Sequence, residues 1–376
     1  MITKLAIVCF PTLGGSGVVA TELGKSIAAR GGEVHFIAER VPSRLTHFDT
    51  NIFFHKVEPG DYPLFQHFTH YPLSLAAKIR EVVDQYGLEI VHVHYAIPYA
   101  TCAFLAKEML KPRPVRTVTT LHGTDITLVG QMPSFYEITR FSISVSDAIT
   151  AVSHFLKEET IRSFGIREPI QVIHNFVDSD EFKPEIKPEI RRRLSPNGEK
   201  LILHASNFRK VKNIPVILEV FAKVRSWLPC RLVLIGDGPE REAAERQAVK
   251  LEVEKDVVFM GDQEFVAEIF PAGDVFLLPS QHESFGLAAL EAMSCEVPVV
   301  ASDVGGLHEV IDHRVNGYLC CPSDVDCMSA LIRDLLTDEA KRREMGRLAR
   351  QKARTNFAKD KIVNQYLSLY NSLLEG

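Results

Sequence analysis

Within residues 275–291 the chain changes from a strand-like pattern to a helical one: Val275-Phe276-Leu277-Leu278-Pro279-Ser280-Gln281-His282-Glu283-Ser284-Phe285-Gly286-Leu287-Ala288-Ala289-Leu290-Glu291. Glu283 lies in the predicted loop, and Glu291 lies inside the predicted helix. The two carboxylates would bracket the helix N-terminus, where unpaired N–H groups and the positive end of the dipole attract anions. Such a site suits a ligand with hydroxyls at one end, a diphosphate in the middle and a ribose at the other. A capped helix with two solvated acids is the simpler interpretation, but an unpaired charge in the apolar run around Glu291 would be costly.

The rest of the chain continues this alternation of strand and helix, which predicts parallel sheets with crossover helices. Apolar runs predict one series of strands before residue 178 and a second series after residue 200: Leu5–Phe10, Val34–Ala38, Ile52–Val57, Ile90–Val93, Arg116–Leu121, Ala148–Val152, Ile170–Ile173, Leu201–Ala205, Arg231–Ile235, Val257–Met260, Val275–Leu278 and Val297–Ala301. Helical patterns close the chain over Val325–Leu336, Glu339–Asn356 and Lys359–Leu374.

The pattern breaks between Asp178 and Lys200, where prolines, a glycine and charged residues predominate. This segment is the best candidate for a connection between two domains. The predicted fold class is α/β, with two Rossmann-like, doubly wound domains that face a central cleft. We expect an N-terminal domain over residues 1–178, a C-terminal domain over residues 179–357, and a final helix over residues 358–376 that packs back on the N-terminal domain. Such sheets bind ligands at the carboxyl ends of their strands.

The composition is that of a globular protein of 376 residues with a mild negative charge. A net charge of −5 provides no field for a nucleic-acid backbone, so we expect no nucleic-acid partner. The longest apolar runs are strand-sized and too short to cross a membrane. The seven cysteines show no metal-ligand spacing and are interpreted as reduced thiols, which are typical of a cytoplasmic protein.

Glycines follow the first predicted strand at Gly14-Gly15-Ser16-Gly17. From Gly15 to Ala20 the chain matches the dinucleotide fingerprint GxGxxA, and Glu39 ends the second strand where a ribose-binding acid would lie. An NAD(P)-dependent oxidoreductase is therefore an alternative. Residues 11–14 separate the strand from the fingerprint, however, whereas the dinucleotide turn is tight, and no constellation for hydride transfer accompanies it. We interpret the glycines as a loop whose amides approach a phosphate or an acceptor, with a plain turn as the simpler alternative.

Two further motifs follow predicted strands at their carboxyl ends. His122-Gly123-Thr124-Asp125 places a histidine where it can reach a bound sugar, while Thr124 or Asp125 could cap a helix. Ser206-Asn207-Phe208-Arg209-Lys210-Val211-Lys212 carries a cluster of cations. Cations suit a diphosphate because it needs charge-assisted donors in order to leave as an anion. A solvated basic loop is the alternative interpretation.

Glycine turns occur at Gly236-Asp237-Gly238-Pro239-Glu240 and at Asp303-Val304-Gly305-Gly306, and both could border a nucleotide. We expect no metal site. His92 and His94 share one face of a strand without an evident third ligand. The string Asp178-Ser179-Asp180 lies in the connection rather than at a strand end.

Together these motifs resemble the retaining glycosyltransferases of family four, which have the two-domain GT-B fold. The resemblance rests on the acids Glu283 and Glu291 with Phe285-Gly286 between them, and it is supported by the motifs at residues 14–17, 122–125, 236–240 and 303–306. It covers essentially the whole chain. The strings His92–Pro98, Thr119–Asp125 and Ser206–Lys212 are most similar to the branch that transfers N-acetylglucosamine to L-malate in bacillithiol biosynthesis.

The resemblance implies a role for each matching residue. Glu291 would hold the ribose hydroxyls, Glu283 the sugar hydroxyls, and His122 would contact the transferred sugar. Arg209 and Lys212 would neutralise the diphosphate. Counted by role, the catalytic residues would be His122, Arg209, Lys212 and Glu283, the further donor-binding residues Gly15, Asn207, Gly236, Phe285, Gly286, Leu287 and Glu291, and the acceptor-binding residues Ser16, Tyr95, Thr120 and Arg140. Arg140 would suit a malate carboxylate, because guanidinium binds carboxylate in a bidentate fork.

By the same resemblance the protein would be a hexosyltransferase that uses UDP-N-acetylglucosamine as its donor, retains the α configuration and needs neither a metal nor another cofactor. No carboxylate is evident as a covalent nucleophile. The leaving phosphate itself would therefore take the acceptor proton, and the cations and the helix N-terminus would stabilise its charge. The acceptor would be a small anionic hydroxy acid such as L-malate. Assembly into a homodimer stays open, and the aromatic segment Tyr62–Phe68 could be either an acceptor lid or a dimer contact.

The chain departs from the family pattern at three positions: Asn207 stands where arginine is usual, Glu296 where glycine is usual, and His308 where proline is usual. Other acceptors of the same family therefore stay open, namely inositol phosphate and a lipid-linked acceptor. From other classes, a UDP-sugar epimerase shares the architecture, and an NAD-dependent oxidoreductase is retained through Gly15–Ala20.

Overall fold

The computed structural model describes residues 4–11, 14–45, 49–60 and 70–375. It divides into two compact units: unit 1 comprises the chain up to His174 and again from Asp360 onward, and unit 2 comprises Asn175–Lys359. Within the described ranges, none of the helices has the length and apolar character needed to cross a lipid bilayer. The aromatic segment Tyr62–Phe68 lies outside the described residues.

The described part of unit 1 is built on a seven-stranded parallel sheet in the order β3-β2-β1-β4-β5-β6-β7. Its strands are β1 (Lys4–Val8), β2 (Glu33–Ala38), β3 (Ile52–Lys56), β4 (Ile90–His94), β5 (Arg116–Leu121), β6 (Ala148–Ala151) and β7 (Ile170–Val172). Its helices begin with α1 (Gly15–Ala28), α2 (Tyr71–Tyr86), α3 (Thr101–Leu110), α4 (Tyr136–Ser144) and α5 (His154–Phe164).

The described part of unit 2 contains a six-stranded parallel sheet in the order β10-β9-β8-β11-β12-β13. Its strands are β8 (Lys200–Ala205), β9 (Cys230–Ile235), β10 (Val257–Gly261), β11 (Val275–Leu278), β12 (Val299–Ser302) and β13 (Gly317–Cys320). Its helices are α6 (Pro188–Leu194), α7 (Ile214–Arg225), α8 (Arg241–Lys250), α9 (Val266–Ile269), α10 (Leu287–Ser294), α11 (Leu307–Val310), α12 (Val325–Thr337) and α13 (Glu339–Asn356). The last helix, α14 (Lys359–Glu375), belongs to unit 1 from Asp360 onward.

The central strands are apolar on both faces because helices cover both sides of each sheet. In β1, residues Leu5 to Val8 are completely buried. Val8 pairs in register with Ile37 of β2 on one side and with Val93 of β4 on the other. The strand order reverses between β1 and β4, and again between β8 and β11 in unit 2. Doubly wound sheets bind their ligands beside the carboxyl ends of the strands at such a reversal.

The strands expected from the sequence are confirmed, with small shifts at their ends. Strand β13, a four-residue strand at the edge of unit 2 that pairs with β12, was not predicted. Its signal was the turn-forming pair Asn316-Gly317 followed by Tyr318, which is buried in the structure. A run this short has too few residues to show a strand period, so only its pairing with β12 distinguishes it from a loop.

A buried carboxylate fixes the connection between the units to the core of unit 2. Asp274 precedes β11, is 4% exposed and accepts a hydrogen bond from Leu201 N of β8 at 2.8 Å. It also pairs with Arg191 of α6 at 2.9 Å and with Arg342 of α13 at 2.6 Å. One side chain therefore holds two helices against β8. Removing one partner from a buried ion pair is strongly destabilising, because it leaves a charge uncompensated.

We expect Asp274→Ala to lower the free energy of unfolding of unit 2 by about 3–5 kcal/mol, because two arginines lose their shared partner. Trp227, the single tryptophan of the chain, lies in unit 2 and reports its urea unfolding by fluorescence. Glu242→Ala is the control: Glu242 pairs with Arg246 at the surface with 86% of its side chain exposed, and its loss should cost less than about 1 kcal/mol. Equal effects of the two substitutions would contradict the role of Asp274.

Candidate functional site

In unit 2 the loops after β8 and β11 meet at the carboxyl edge of the sheet, beside the reversal of strand order. Lys212 comes from the first loop and Glu283 from the second. Lys212 Nζ lies 2.7 Å from Glu283 Oε2, and both side chains are largely buried. The backbones of the same loops are also joined, since Gln281 N donates a hydrogen bond to Val211 O at 2.8 Å. The structure therefore brings together a cation and an acid that the sequence singled out separately.

Asn207 orients the guanidinium of Arg209. With its amide oxygen turned toward Arg209, Asn207 accepts hydrogen bonds from Nε at 3.0 Å and from Nη2 at 3.2 Å. Arg209 itself is exposed. The contact uses Nε and Nη2, which form one edge of the guanidinium. The residue that departs from the family pattern thus holds a neighbouring arginine in place.

Two glycines allow the loop after β9 to pack against the loop that carries these cations. Gly236 has φ +111° and Gly238 has φ +155°, in the region that favours glycine. A Cβ on Gly236 would lie 1.9 Å from Ser206 O, and a Cβ on Gly238 would lie 2.3 Å from Asn207 O. A side chain at either position would displace the cationic loop. The close approach of two backbones explains these glycines, and the predicted contact of Gly236 with a donor stays a prediction.

The predicted helix that follows Glu283 and contains Glu291 is α10, which begins at Leu287. Gly286 precedes it in a left-handed conformation, with φ 97° and ψ 52°. Glu283 lies in the loop before the helix, whereas Glu291 lies on the helix and is 6% exposed. The first turn of α10, with its unpaired N–H groups, therefore separates the two acids along the chain.

Phe285 anchors the loop that carries Glu283. Its ring is 2% exposed and meets the ring of Phe357 edge-on, with 5.4 Å between the centroids. The same loop accepts a hydrogen bond from Gly306 N to Glu283 O at 2.9 Å. A Cβ on Gly306 would lie 2.1 Å from Ser284 O, so the turn at residues 303–306 needs glycine to support the loop. Phe285 was predicted to bind the donor, and the structure places its ring in the interior of unit 2.

The other two departures from the family pattern have local contacts of their own. Glu296 adopts φ +61°, a conformation in which glycine is usual. Its carbonyl oxygen would lie 2.1 Å from a Cβ on Gly346, so α13 packs directly against this turn. His308 Nε2 lies 3.1 Å from Asp303 Oδ1, and both side chains are exposed.

In unit 1 the predicted residues His122 and Tyr95 follow β5 and β4, which are neighbouring strands. Their ring centroids are 5.3 Å apart. Tyr95 has φ +106°, which is strained for a residue with a side chain, and its N–H donates to Thr120 O at 2.9 Å. His122 Nε2 lies 2.8 Å from Nδ1 of His94, the last residue of β4. Non-glycine strain of this kind clusters at binding sites.

A buried polar network lies beneath these residues and reaches α14. His92 Nδ1 is 2.7 Å from Tyr370 Oη, and His92 Nε2 is 2.7 Å from Thr120 Oγ1. Thr120 Oγ1 is also 2.6 Å from Thr150 Oγ1. Thr120 is completely buried, so the hydroxyl that was predicted to bind the acceptor is engaged inside the sheet. Its role toward an acceptor stays a prediction.

Burial keeps the histidines of this region neutral. Loss of solvation lowers the pKa of His92 to about 3, with a contribution from His122. The same cause lowers the pKa of His122 to about 3. His122 therefore offers a hydrogen-bonding ring rather than a positive charge at neutral pH.

Asp125 joins the loops that follow β4 and β5. It is 2% exposed, and its carboxylate accepts hydrogen bonds from Ala96 N at 2.8 Å and from Gly123 N at 3.0 Å. Burial raises its pKa to about 6, although these backbone donors oppose the shift. A helix cap at Thr124 or Asp125 was the alternative interpretation of this motif. The structure shows instead that Asp125 bridges two loops, a contact between distant segments that sequence spacing does not reveal.

The remaining predicted acceptor residues, Ser16 and Arg140, lie on helices of unit 1. Ser16 is 8% exposed and lies in the first turn of α1, next to Gly15, which was predicted to bind the donor. Arg140 is exposed on α4. This helix packs on the segment that follows Tyr95, where Thr101 Oγ1 lies 2.6 Å from Ser142 Oγ.

In the predicted connection, Asp178 stabilises the turn in which it lies. Asp178 Oδ1 accepts a hydrogen bond from Asp180 N at 3.0 Å, and Asp178 Oδ2 pairs with Lys359. These contacts account for Asp178 as a local cap and ion-pair partner.

Both halves of the chain match family models of glycosyltransferases. Residues 13–181 match the family described as Glycosyltransferase Family 4, and residues 186–352 match Glycosyl transferases group 1. The chain is also 44% identical over 375 residues to N-acetyl-alpha-D-glucosaminyl L-malate synthase of Bacillus anthracis, with 100% of this chain and 98% of that protein covered. The chain belongs to glycosyltransferase family 4. This membership replaces the dinucleotide interpretation of Gly15–Ala20.

More distant likenesses agree with this family. The glycosyltransferase is 28% identical over 389 residues to D-inositol 3-phosphate glycosyltransferase of Xylanimonas cellulosilytica, with 95% of this chain and 91% of that protein covered. Its structure resembles that of Anabaena HepE in complex with UDP and glucose, with a TM-score of 0.83, 20% identity, and coverage of 99% of this chain and 100% of that one. The GT-B fold predicted from the sequence is confirmed.

We expect acid to destabilise unit 1 through His92. Its folded-state pKa of about 3 lies below the usual value. The unfolded chain therefore binds the additional proton as the pH falls below about 6.5, and for one such group the stability lost at pH 5 is about 2 kcal/mol. Hydrogen exchange of the β4 amides at pH 7 and pH 5, corrected for the intrinsic rate, measures this loss. His92→Gln does not titrate and should lose less between the two pH values. An equal loss in both proteins would assign the pH dependence elsewhere.

Proposed function

We propose that this glycosyltransferase transfers N-acetylglucosamine from UDP-N-acetylglucosamine to L-malate, with retention of the α configuration, as a step of bacillithiol biosynthesis. The observation that carries the proposal is the 44% identity, over the whole chain, to a protein named for that product. The identity to an inositol 3-phosphate transferase is only 28%, which favours malate over inositol phosphate as the acceptor.

In this proposal unit 2 binds the donor. Lys212 and Glu283 compensate each other's charge at 2.7 Å, so both are held at the loop junction before a ligand arrives. A diphosphate would draw Lys212 and Arg209 toward its oxygens, and a sugar hydroxyl would then donate to Glu283. Glu291 would accept hydrogen bonds from the ribose. Glu283 would therefore pair with Lys212 in the free enzyme and with the sugar in the complex.

The chemistry would be a substitution at the anomeric carbon on the face from which the diphosphate leaves. The acceptor oxygen forms the new bond to carbon, the bond to the phosphate oxygen breaks, and that phosphate oxygen takes the acceptor proton. Arg209, Lys212 and the N–H groups at the start of α10 would stabilise the developing charge. Because these groups supply the positive charge, we propose no metal or other cofactor.

We assign the acceptor to unit 1, where Tyr95, Ser16, Arg140 and Thr120 were predicted to bind it. His122 is neutral, so it contributes a hydrogen bond to the transferred sugar but no charge. The charge of a dicarboxylate must then be met by Arg140 and by the amides at the start of α1. We also propose a cytoplasmic location, which is consistent with the free thiols of the chain. Assembly into a homodimer stays a prediction.

The donor assignment predicts that Lys212→Met and Glu283→Gln each slow transfer by about 10²-fold or more, because each removes a group that acts on the transition state. Product formation from UDP-N-acetylglucosamine and L-malate is followed by mass spectrometry. The control is Lys250→Met, which makes the same substitution at an exposed lysine at the end of α8. Near-native turnover of either site variant would remove that residue from the catalytic assignment.

The acceptor assignment predicts UDP release from UDP-N-acetylglucosamine with L-malate but neither with inositol phosphate nor without an acceptor.

We expect Arg140→Met to raise KM for malate by about 10- to 100-fold, because the variant loses a charge-assisted hydrogen bond to the malate carboxylate, while KM for the donor stays unchanged. Arg162→Met on α5 is the control, because its side chain is 76% exposed and pairs only within its own helix in the described residues.

Two other results would contradict malate as the acceptor. Release with inositol phosphate in place of malate would move the enzyme to another acceptor of the same family. Free N-acetylmannosamine formed without any acceptor would identify a UDP-sugar epimerase instead.

A further inference from the structure

His94 is a completely buried histidine with one satisfied ring nitrogen and one unsatisfied ring nitrogen. Its Nδ1 lies 2.8 Å from Nε2 of His122. Its Nε2 is buried and has no hydrogen-bond partner among the residues that the structure describes. The ring of His92 lies against that of His94, with 4.4 Å between the centroids. The function proposed above uses His122 but gives His94 no role.

Both rings of the pair are neutral at physiological pH. Burial, and after it electrostatic repulsion by the neighbouring imidazoles of His92 and His122, lowers the pKa of His94 well below its usual range. Burial lowers the pKa of His122 to about 3. A neutral imidazole carries one N–H and one bare nitrogen. The hydrogen bond between the two rings can therefore run in only two directions.

In the first direction His94 Nδ1–H donates to His122 Nε2, and His94 Nε2 is left as a buried bare nitrogen. In the second direction His122 Nε2–H donates to His94 Nδ1, and the proton of His94 is then on Nε2 as a buried N–H without an acceptor. Orphaned buried N–H groups are rarer in proteins than under-satisfied acceptors, and burying a donor without a partner costs its full desolvation penalty. The first direction is therefore the stable one.

We propose that His94 is a positioning residue that donates Nδ1–H to His122 Nε2 and thereby holds His122 in the tautomer with its proton on Nδ1. His122 has its Nε2 engaged by His94 and its ring half-buried beside Tyr95. The other nitrogen, Nδ1, then presents a hydrogen-bond donor to whatever binds there.

This inference rests on the proposed function for the identity of the ligand. A donor at His122 suits an oxygen atom that carries lone pairs, such as a sugar hydroxyl, a carboxylate or a phosphate oxygen. The same tautomer has no bare nitrogen free to remove a proton, because its Nε2 already accepts from His94. His122 would thus bind and orient the sugar, and the proton of the acceptor would pass to the leaving phosphate.

The tautomer is measured directly by long-range ¹H–¹⁵N correlation spectra of the full chain labelled with ¹⁵N-histidine, because protonated and bare ring nitrogens resonate in separate regions. The His122 signals are assigned by their loss in His122→Gln. We expect a protonated Nδ1 and a bare Nε2 for His122, and a protonated Nδ1 for His94, unchanged between pH 6 and pH 8. A proton on Nε2 of His122 would overturn the proposal.

Two substitutions separate positioning from packing. His94→Leu removes the donor, and His94→Asn keeps an amide near the place of Nδ1. We expect His94→Leu to give a mixture of His122 tautomers and to lower kcat by about 10-fold or more through misplacement of the ring, with KM for malate little changed. His94→Asn should keep the Nδ1 tautomer and restore most of the turnover. If His94→Leu kept both the tautomer and the rate, His94 would be a packing residue only.

The urea stability of both variants is measured alongside, since a purely structural role would make turnover follow stability in the two proteins. The spectra of the unmodified enzyme decide the tautomer even if His94→Leu does not fold. They are also independent of the acceptor: failure of malate transfer with the expected tautomer would overturn the proposed function and leave the assignment of His94 intact.

Discussion

The contact between Lys212 and Glu283 is the interaction on which the site of unit 2 depends. The two residues are 71 positions apart in the chain, and they meet because β8 and β11 are neighbours in a parallel sheet. Loops that follow neighbouring parallel strands leave the sheet at the same edge, so a reversal of strand order creates a crevice there. Gly236, Gly238 and Gly306 support the loops around this pair, because each lies against another backbone where a Cβ would collide.

The candidate binding residues of the two units differ in charge. Unit 2 presents cations at its loop junction, oriented by Asn207 and balanced by an acid, which suits a ligand that carries phosphates. In unit 1, His122 contacts the rings of His94 and Tyr95, and His94 packs on His92. Burial removes the charge of these histidines, and a histidine without charge can still give a hydrogen bond in one defined direction. Such a ring suits a sugar hydroxyl, which requires direction rather than charge.

The strands, the acids before and within α10, and the cationic loop were predicted from the sequence, because each of these is a local pattern of a few residues. Strand β13 was not predicted, because its four residues carry too little periodicity. A helix cap was the only role weighed for Asp125, whereas this carboxylate joins the loops after β4 and β5. The resemblance implied that Thr120 binds the acceptor, which stays a prediction, and nothing in the sequence indicated that its hydroxyl contacts a buried histidine and a second threonine.

The amino-acid sequence by itself determined the fold class and the family, since the alternation of apolar strands with helices and the spacing of Glu283 and Glu291 are properties of neighbouring residues. Only the tertiary structure decided which of the singled-out residues touch. The pairing of Lys212 with Glu283, the hold of Asn207 on Arg209 and the hydrogen bond between His94 and His122 all depend on which strands lie side by side and on how far each side chain reaches. The unsatisfied nitrogen of His94 is likewise visible only in three dimensions, because burial is a property of everything packed around an atom.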